Sequence, residues 1–254
     1  MLEADVGKVS SEVFHREAPN GDTAAEDRTP ATFPPRASME VALCADCHAA
    51  LIGGTNHHSR CARCGAALDG PARQTCPWCE RHRLRFDAVY PLAGYEGPVK
   101  EAVVRMKTSS AAALAVSAAR LYCREMGGRI MAAKPTAVVP VPMHWRRRWE
   151  HGTNSAATLG DVVAGELGLP LLLGAASRKR NTPPQKDLGP KGRFRNVRGA
   201  FRLSARYDYR GARLLLVDDI LTTGATCSEL AAALKRAGAR WIGVAVLARA
   251  QGIV

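Results

Sequence analysis

The stretch from Leu214 to Thr226, LLLVDDILTTGAT, constrains the fold of this chain more than any other. Its first four residues form an apolar run typical of a buried parallel strand. Two carboxylates, Asp218 and Asp219, follow the C-terminal end of that run, and a turn of small and hydroxyl residues then opens onto a segment with helical apolar spacing. The order of strand, acidic pair, turn and helix predicts an open α/β sheet.

Each part of this stretch suits a phosphorylated ligand. In open α/β sheets, ligands lie beyond the carboxyl ends of the strands, where Asp218 and Asp219 are expected. The carboxylates would accept hydrogen bonds from vicinal hydroxyls or face a Mg²⁺ ion carried in with a polyphosphate. A sugar phosphate fits both parts, and the alternative is an ordinary strand–helix junction whose aspartates cap the helix. Because a helix N-terminus offers N–H groups and partial positive charge, the residues expected to bind phosphate are Thr222, Thr223, Gly224, Ala225 and Thr226.

The same stretch resembles the phosphoribosyl pyrophosphate (PRPP) signature of type I phosphoribosyltransferases. The resemblance implies that Asp218 and Asp219 contact the ribose hydroxyls at the catalytic centre and that residues 222–226 bind the 5-phosphate. It also implies a type I phosphoribosyltransferase-like fold, an open and mostly parallel sheet with flanking helices. PRPP with Mg²⁺ is then the expected ligand.

The charge of the chain is unevenly distributed. The 254 residues contain 36 Lys and Arg against 23 Asp and Glu, a net charge of +13. Residues 1–40 carry eight acids and four bases, which leaves +17 for residues 41–254. This balance favours polyanionic partners such as nucleic acid, nucleotides or pyrophosphates. No apolar run is long enough to span a bilayer and no signal pattern begins the chain, so we expect a cytoplasmic protein with reduced cysteines.

Three C-x-x-C pairs lie between residues 44 and 79. Two thiolates separated by two residues can bind one tetrahedral ion, and a second such pair completes the site. The spacing therefore predicts a structural zinc site, with an iron–sulfur cluster as the main alternative, and its four ligands are Cys61, Cys64, Cys76 and Cys79. Cys123 and Cys227 lie in apolar segments and are expected to be core residues.

The first pair, Cys44 and Cys47, has no partner pair before it in the sequence. A second zinc site would need His48, His57 or His58, and the alternative is a half-site with two thiols that bind nothing.

Other apolar patterns predict the rest of the domain. They indicate a strand, turn and helix over 86–107, a helix over 109–126 stopped by two glycines, a strand over 136–141, a helix up to Gly168 and a last strand over 240–247. The strand over 136–141 delivers basic residues to a loop at its carboxyl end. By resemblance to the comparable loop of type I phosphoribosyltransferases, His144 and Arg146 are expected to receive pyrophosphate, although these residues could also form a solvated face.

The most basic segment, 178–206, holds ten bases and one acid. Its prolines and glycines predict a mobile loop rather than a helix. Such a loop suits a pyrophosphate or a phosphodiester backbone, while a solvated charge run is the alternative. The residues that we expect to bind nucleic acid are Arg178, Lys179, Arg180, Lys186, Lys191 and Arg193.

In its order of motifs the chain resembles the ComF family, over roughly residues 42–250. The motifs are the cysteine pairs, VVPVP, RNTPPQ with RFRNVRGAF, and LLVDDILTTGAT. The resemblance implies a double zinc ribbon joined to a phosphoribosyltransferase-like domain, a role in uptake of single-stranded DNA during natural competence, and a helicase or translocase partner. Two departures are the missing outermost C-x-x-C pair and the sequence GTNS at 152–155, where relatives commonly read GFNQ.

These observations predict a disordered tail over 1–40, a zinc ribbon over 41–85 with a degenerate outer half, and a phosphoribosyltransferase-like domain over 86–254. Three functions remain open. The chain binds PRPP and supports DNA uptake, it transfers phosphoribosyl groups to an unknown acceptor, or it is a non-catalytic nucleic-acid-binding accessory. A PRPP-sensing repressor is a weaker alternative because no helix-turn-helix pattern is present in the sequence.

Overall fold

The computed structural model describes most of the chain from residue 76 onward and part of the cysteine-rich region before it. The described residues are 43, 48–49, 51–52, 60–68, 76–108, 112–143, 155–179 and 189–250. Several predictions lie outside these residues, namely those on the tail 1–40 and on Cys44, Cys47, His144, Arg146, Arg180 and Lys186.

The centre of the fold is a sheet of four parallel strands. In chain order they are β1 (Ala88–Gly94), β2 (Ala137–Pro140), β5 (Arg213–Leu221) and β6 (Trp241–Arg249), and in space the order is β1–β6–β5–β2. Strand β5 is therefore central, with Pro140 of β2 opposite Val217 and Val246 of β6 opposite Asp218. Two short strands, β3 (Ala176–Arg178) and β4 (Phe201–Leu203), form a separate antiparallel pair.

Helices connect the parallel strands and cover both faces of the sheet. They are α1 (Pro77–Arg81), α2 (Gly97–Arg105), α3 (Ala112–Ala132), α4 (Ser155–Glu166), α5 (Pro190–Val197) and α6 (Ala225–Arg236). Leu214 and Leu216 of β5 pack in one core with α6, whereas Leu215 and Val217 pack in a second core with α3 and α4. Alternate residues of a strand point to opposite faces, so the apolar run at the start of β5 serves both cores.

The predicted strands and the helix of the central stretch are confirmed, and the type I phosphoribosyltransferase-like fold is correct. Cys123 and Cys227 are buried core residues, as expected. Among the described residues, no helix has the length and apolar character needed to cross a membrane.

The predicted end of α3 at the glycine pair 127–128 is wrong, because the helix continues to Ala132. Met126 and Ile130 lie one helical turn apart and are both buried in the core shared with α4. Their burial outweighs the low helix propensity of the two glycines, about 1 kcal/mol each. The helix ends instead where Lys134 adopts a left-handed backbone conformation with φ of 50°.

The prediction that 178–206 forms a loop without a helix is also wrong. Residues 190–197 form α5, and the segment begins in β3 and includes β4. Helix α5 has Pro190 in its first turn, a position where proline lacks no hydrogen bond and its fixed φ is favourable. Val197 is buried and Phe194 packs against the core, so this face is held by tertiary contacts that outweigh the high charge of the segment.

Candidate functional site

The two aspartates lie in the last third of β5. The strand was predicted to end before them, but it continues to Leu221 because β6 runs alongside it as far as Arg249. Asp218 is only partly buried and Asp219 is 9% exposed. Both residues are thus at the carboxyl end of the central strand, as the sequence predicted.

Asp219 is held by side chains from two other elements. Its Oδ2 atom accepts a hydrogen bond from Ser155 Oγ at 3.1 Å, from the first residue of α4. The same oxygen lies 3.4 Å from Lys107 Nζ, just beyond α2. Sequence reasoning missed both partners, since neither carries a motif and both are distant in the chain.

Asp218 is oriented by its neighbour and is electrostatically unfavourable as a carboxylate. Its Oδ1 atom accepts the backbone N–H of Asp219 at 2.9 Å. Burial and then the charge of Asp219 raise the pKa of Asp218 well above its ordinary value, while Lys107 acts in the opposite direction. Without a ligand, the site therefore holds this carboxyl in an environment that favours its protonated form.

The turn after β5 forms the N-terminus of α6. Gly224 precedes the helix with φ of 79°, a conformation that glycine adopts without strain. A Cβ atom on it would also lie 3.3 Å from the ring of Phe86 and 3.4 Å from Leu84. Thr223 Oγ1 accepts the N–H of Ala225 at 3.3 Å, which stabilises the turn.

Access to this turn is limited to its two ends. Thr223, Gly224 and Ala225 are buried, whereas Thr222 and Thr226 are partly exposed. The residues expected to bind phosphate thus lie together at the positive end of the α6 dipole. A phosphate would reach them through the two exposed threonines.

The four cysteines predicted as ligands form a cluster next to the same edge of the fold. Their sulfur atoms all lie within 4.8 Å of one another. A zinc ion bound tetrahedrally at about 2.3 Å from each sulfur requires sulfurs roughly 3.8 Å apart. The Cys61 and Cys79 sulfurs are 3.8 Å apart and those of Cys64 and Cys76 are 3.5 Å apart. The cluster therefore fits a tetrahedral metal ion.

Local backbone structure prepares the cluster. The N–H of Gly65 donates to the carbonyl of Cys61 at 2.7 Å, and the N–H of Glu80 donates to that of Cys76 at 3.1 Å. These two turns bring the paired cysteines together from separate segments. Burial raises the pKa of the Cys64 thiol, and burial raises that of Cys79 to about 12. Metal binding would release thiol protons, because thiolates are the ligands.

The basic residues predicted to bind nucleic acid do not form one surface. Arg178 ends β3 with its guanidinium 5.7 Å from the centre of the Phe201 ring. Lys179 is exposed after that strand, and Lys191 and Arg193 are on α5. The described members of the set therefore belong to two elements.

A different basic surface lies beside α6. It is a groove of about 730 Å³ between α5, α6 and the segment 83–85. Glu229 in this groove is occupied by the N–H of Gly199 at 2.8 Å, and Phe194 supplies an aromatic wall. Sequence reasoning missed this groove because only one of its cations lies in the stretch 178–206. Its five cations are Arg83, Arg85, Arg198, Lys235 and Arg236.

The parallel sheet, the acidic pair at the end of its central strand and the glycine turn at a helix N-terminus define a phosphoribosyltransferase-like protein. A cysteine cluster is joined to it. The phosphoribosyl transferase domain family accordingly matches residues 153–252.

Comparison with curated proteins gives the particular family. The chain is 30% identical over 194 residues to competence protein F of Haemophilus influenzae, a match that covers 75% of this chain and 84% of that one. It is 30% identical over 210 residues to the DNA utilization protein YhgH of Escherichia coli K12, with 82% and 84% covered. The chain therefore belongs to the ComF family.

Solved structures give more distant matches. A hypoxanthine phosphoribosyltransferase from Staphylococcus aureus aligns at 12% identity with a TM-score of 0.35, covering 55% of this chain and 69% of that one. At this distance the fold assignment rests on the strand order and the matched domain.

Proposed function

We propose that this protein binds PRPP with Mg²⁺ at the carboxyl end of β5. The observation that carries the proposal is the placement of Asp218 and Asp219 directly before a glycine turn at the N-terminus of α6. The carboxylates would accept hydrogen bonds from the ribose hydroxyls, and residues 222–226 would bind the 5-phosphate. Lys107 and Ser155 would hold Asp219 in position for this contact.

The pyrophosphate half of the ligand is assigned to His144 and Arg146, which lie outside the described residues. Support comes from β2, which ends at Pro140 opposite Val217, so that residues 141–143 leave the sheet beside the acidic pair. Mg²⁺ would enter with the pyrophosphate oxygens and offset their charge, and the hard oxygen donors of the site are compatible with that ion.

Isothermal titration with PRPP in the presence of Mg²⁺ tests this site. We expect saturable binding by the wild type and a loss of at least 100-fold in affinity in the double variant Asp218→Asn, Asp219→Asn, because both hydroxyl acceptors lose their charge. The control is Glu101→Gln, an exposed neutralisation on α2. No binding by the wild type, or equal binding by the double variant, would contradict the proposal.

We further infer that the protein uses this domain in DNA uptake or utilisation in the cytoplasm, with single-stranded DNA along the α6 groove. Two facts support this role: the names of the relatives, competence protein F and DNA utilization protein, and the excess of cations in the groove. Phe194 stacks on His82 with ring centres 5.3 Å apart, which gives bases an aromatic surface beside the cations. A DNA helicase or translocase of the competence machinery is the proposed protein partner.

The groove is tested by single-stranded DNA binding at several salt concentrations. Arg83→Ala with Arg85→Ala should lower affinity at least tenfold at low salt and make the dependence of log affinity on log salt shallower by about two, one for each lost phosphate contact. The matched control removes two exposed arginines from the other face of the sheet, Arg105→Ala with Arg129→Ala. An equal effect of both pairs would argue for non-specific attraction and against the groove.

A further inference from the structure

Arg249 is an unusual residue for its position. It ends β6, a strand whose eight preceding residues are apolar or glycine, and it is only 1% exposed. Burial lowers the pKa of its guanidinium, and among the described residues no carboxylate lies within ion-pair distance of it. A charged side chain is retained in such a place only when its contacts compensate for the lost hydration.

The contacts of Arg249 join the two sites described above. Its Nε atom donates to the carbonyl of Cys64 at 2.9 Å, within the cysteine cluster. Its Nη1 atom donates to the carbonyl of Leu221 at 3.0 Å and also to that of Thr222, the first residue of the phosphate turn. One guanidinium therefore holds the backbone of the metal ligands and the backbone of the turn together.

The charge of Arg249 has a natural partner in the metal-loaded cluster. A divalent zinc ion with four thiolates carries a net charge of −2. The guanidinium carbon lies 5.7 Å from the ring centre of Trp78, which follows the ligand Cys76 by two residues. The charges of Cys64 and Cys76 favour the charged form of Arg249. Loading of the cluster thus stabilises the guanidinium in the position from which it reaches the turn.

We propose that Arg249 is a positioning residue that couples metal occupancy of the cysteine cluster to the conformation of the turn 222–226, and hence to affinity for PRPP. This inference rests on the proposed function of the turn. The metal-loaded cluster fixes Arg249, Arg249 fixes the carbonyls of Leu221 and Thr222, and the turn is then preorganised for a phosphate. Since coupling between two sites is reciprocal, PRPP must strengthen zinc binding by the same factor as zinc strengthens PRPP binding.

Hydrogen–deuterium exchange tests the structural link without any PRPP. Removal of zinc by a chelator should speed exchange of the amides in 221–226 at least tenfold in the wild type, while exchange in α3 stays unchanged. In Arg249→Met the turn should exchange fast with or without zinc, and Arg249→Lys, which keeps the charge but not the fork of donors, should behave like Arg249→Met. Unchanged exchange of the turn on zinc removal, or equal deprotection of α3, would overturn the coupling, and this comparison needs no variant to fold.

Titration then separates this proposal from the function on which it rests. Zinc removal should weaken PRPP binding at least tenfold in the wild type, and PRPP should slow zinc release to a chelator, an effect absent from the Asp218→Asn, Asp219→Asn variant. Failure of the zinc-loaded protein to bind PRPP would overturn the proposed function and with it the effect of zinc on PRPP affinity. Equal PRPP affinity with and without zinc would leave the PRPP site standing and overturn the role of Arg249.

Discussion

At Asp218 the requirements of ligand binding and of stability oppose each other. The carboxyl must be charged to accept hydroxyl hydrogen bonds strongly, but burial and the neighbouring Asp219 raise its pKa. The folded protein therefore holds this proton more tightly than the unfolded chain does. The resulting loss of stability is absent below the unfolded pKa of about 3.9 and grows as the pH rises towards the folded pKa.

The variant Asp218→Asn should be more stable than the wild type at pH 8, by about 1–2 kcal/mol, while it no longer binds PRPP. The amide keeps an oxygen for the N–H of Asp219 but carries no charge. The gain in Tm should shrink as the pH is lowered from 8 to 5, which thermal unfolding of both proteins measures directly. Glu101→Gln should change stability by less than about 0.5 kcal/mol at every pH. A gap that widens on acidification would contradict this account.

The sequence could predict the acidic pair and the turn because their geometry is local: a strand, two acids and a helix start follow one another in the chain. It could not predict Ser155 or Lys107, because they meet Asp219 only through the tertiary fold. Arg249 left a weak signal, a single charge at the end of an apolar strand. Only the structure shows that its donors reach both the cysteines and the turn.

At the level of elements, patterns that depend on neighbouring residues were predictable and patterns that depend on packing were not. The four parallel strands show as short apolar runs, so their positions were predicted well. The length of α3 and the existence of α5 depend on contacts with α4 and with the core, which override glycine content and charge. The same packing places the start of α4 at the candidate site.

Helix α4 lies against β2 at Gly160, and this contact sets the position of Ser155. A Cβ atom on Gly160 would lie only 2.8 Å from Cγ of Pro140. We therefore expect Gly160→Ala to push α4 off the sheet, to destabilise the protein by about 1–3 kcal/mol and to weaken PRPP binding through the lost contact with Asp219. Thermal unfolding and titration measure the two effects.

The matched control for α4 is Gly128→Ala in α3, where an added Cβ meets no atom within 4 Å. It should stabilise the protein by up to about 1 kcal/mol, because alanine has the higher helix propensity. If Gly160→Ala proved as stable as this control, the contact with Pro140 would not set the spacing of helix and sheet.

For the whole molecule, the main result is that the cysteine cluster and the sheet share one core. Cys64 is fully buried with Leu84, Phe86 and Val89, and the other three cysteines pack against the same cluster of residues. The sequence predicted a metal site and a sheet, but not that they would be packed as a unit. Metal binding should therefore stabilise the whole fold and not only the ribbon.

Removal of the metal should lower Tm in a single transition that involves the entire described fold. A ligand that binds only the native state stabilises it by about 4 kcal/mol when its free concentration is 1,000 times its Kd. Calorimetry of the zinc-loaded and chelator-treated protein should show one peak in each case, at a lower temperature after chelation. Cys61→Ser should unfold at the lower temperature with or without chelator, whereas Cys123→Ala, outside the cluster, should keep the full effect of zinc. Two separate peaks, of which chelation moves only the smaller, would mean that the cluster and the sheet unfold independently, and their shared core would then contribute no cooperativity.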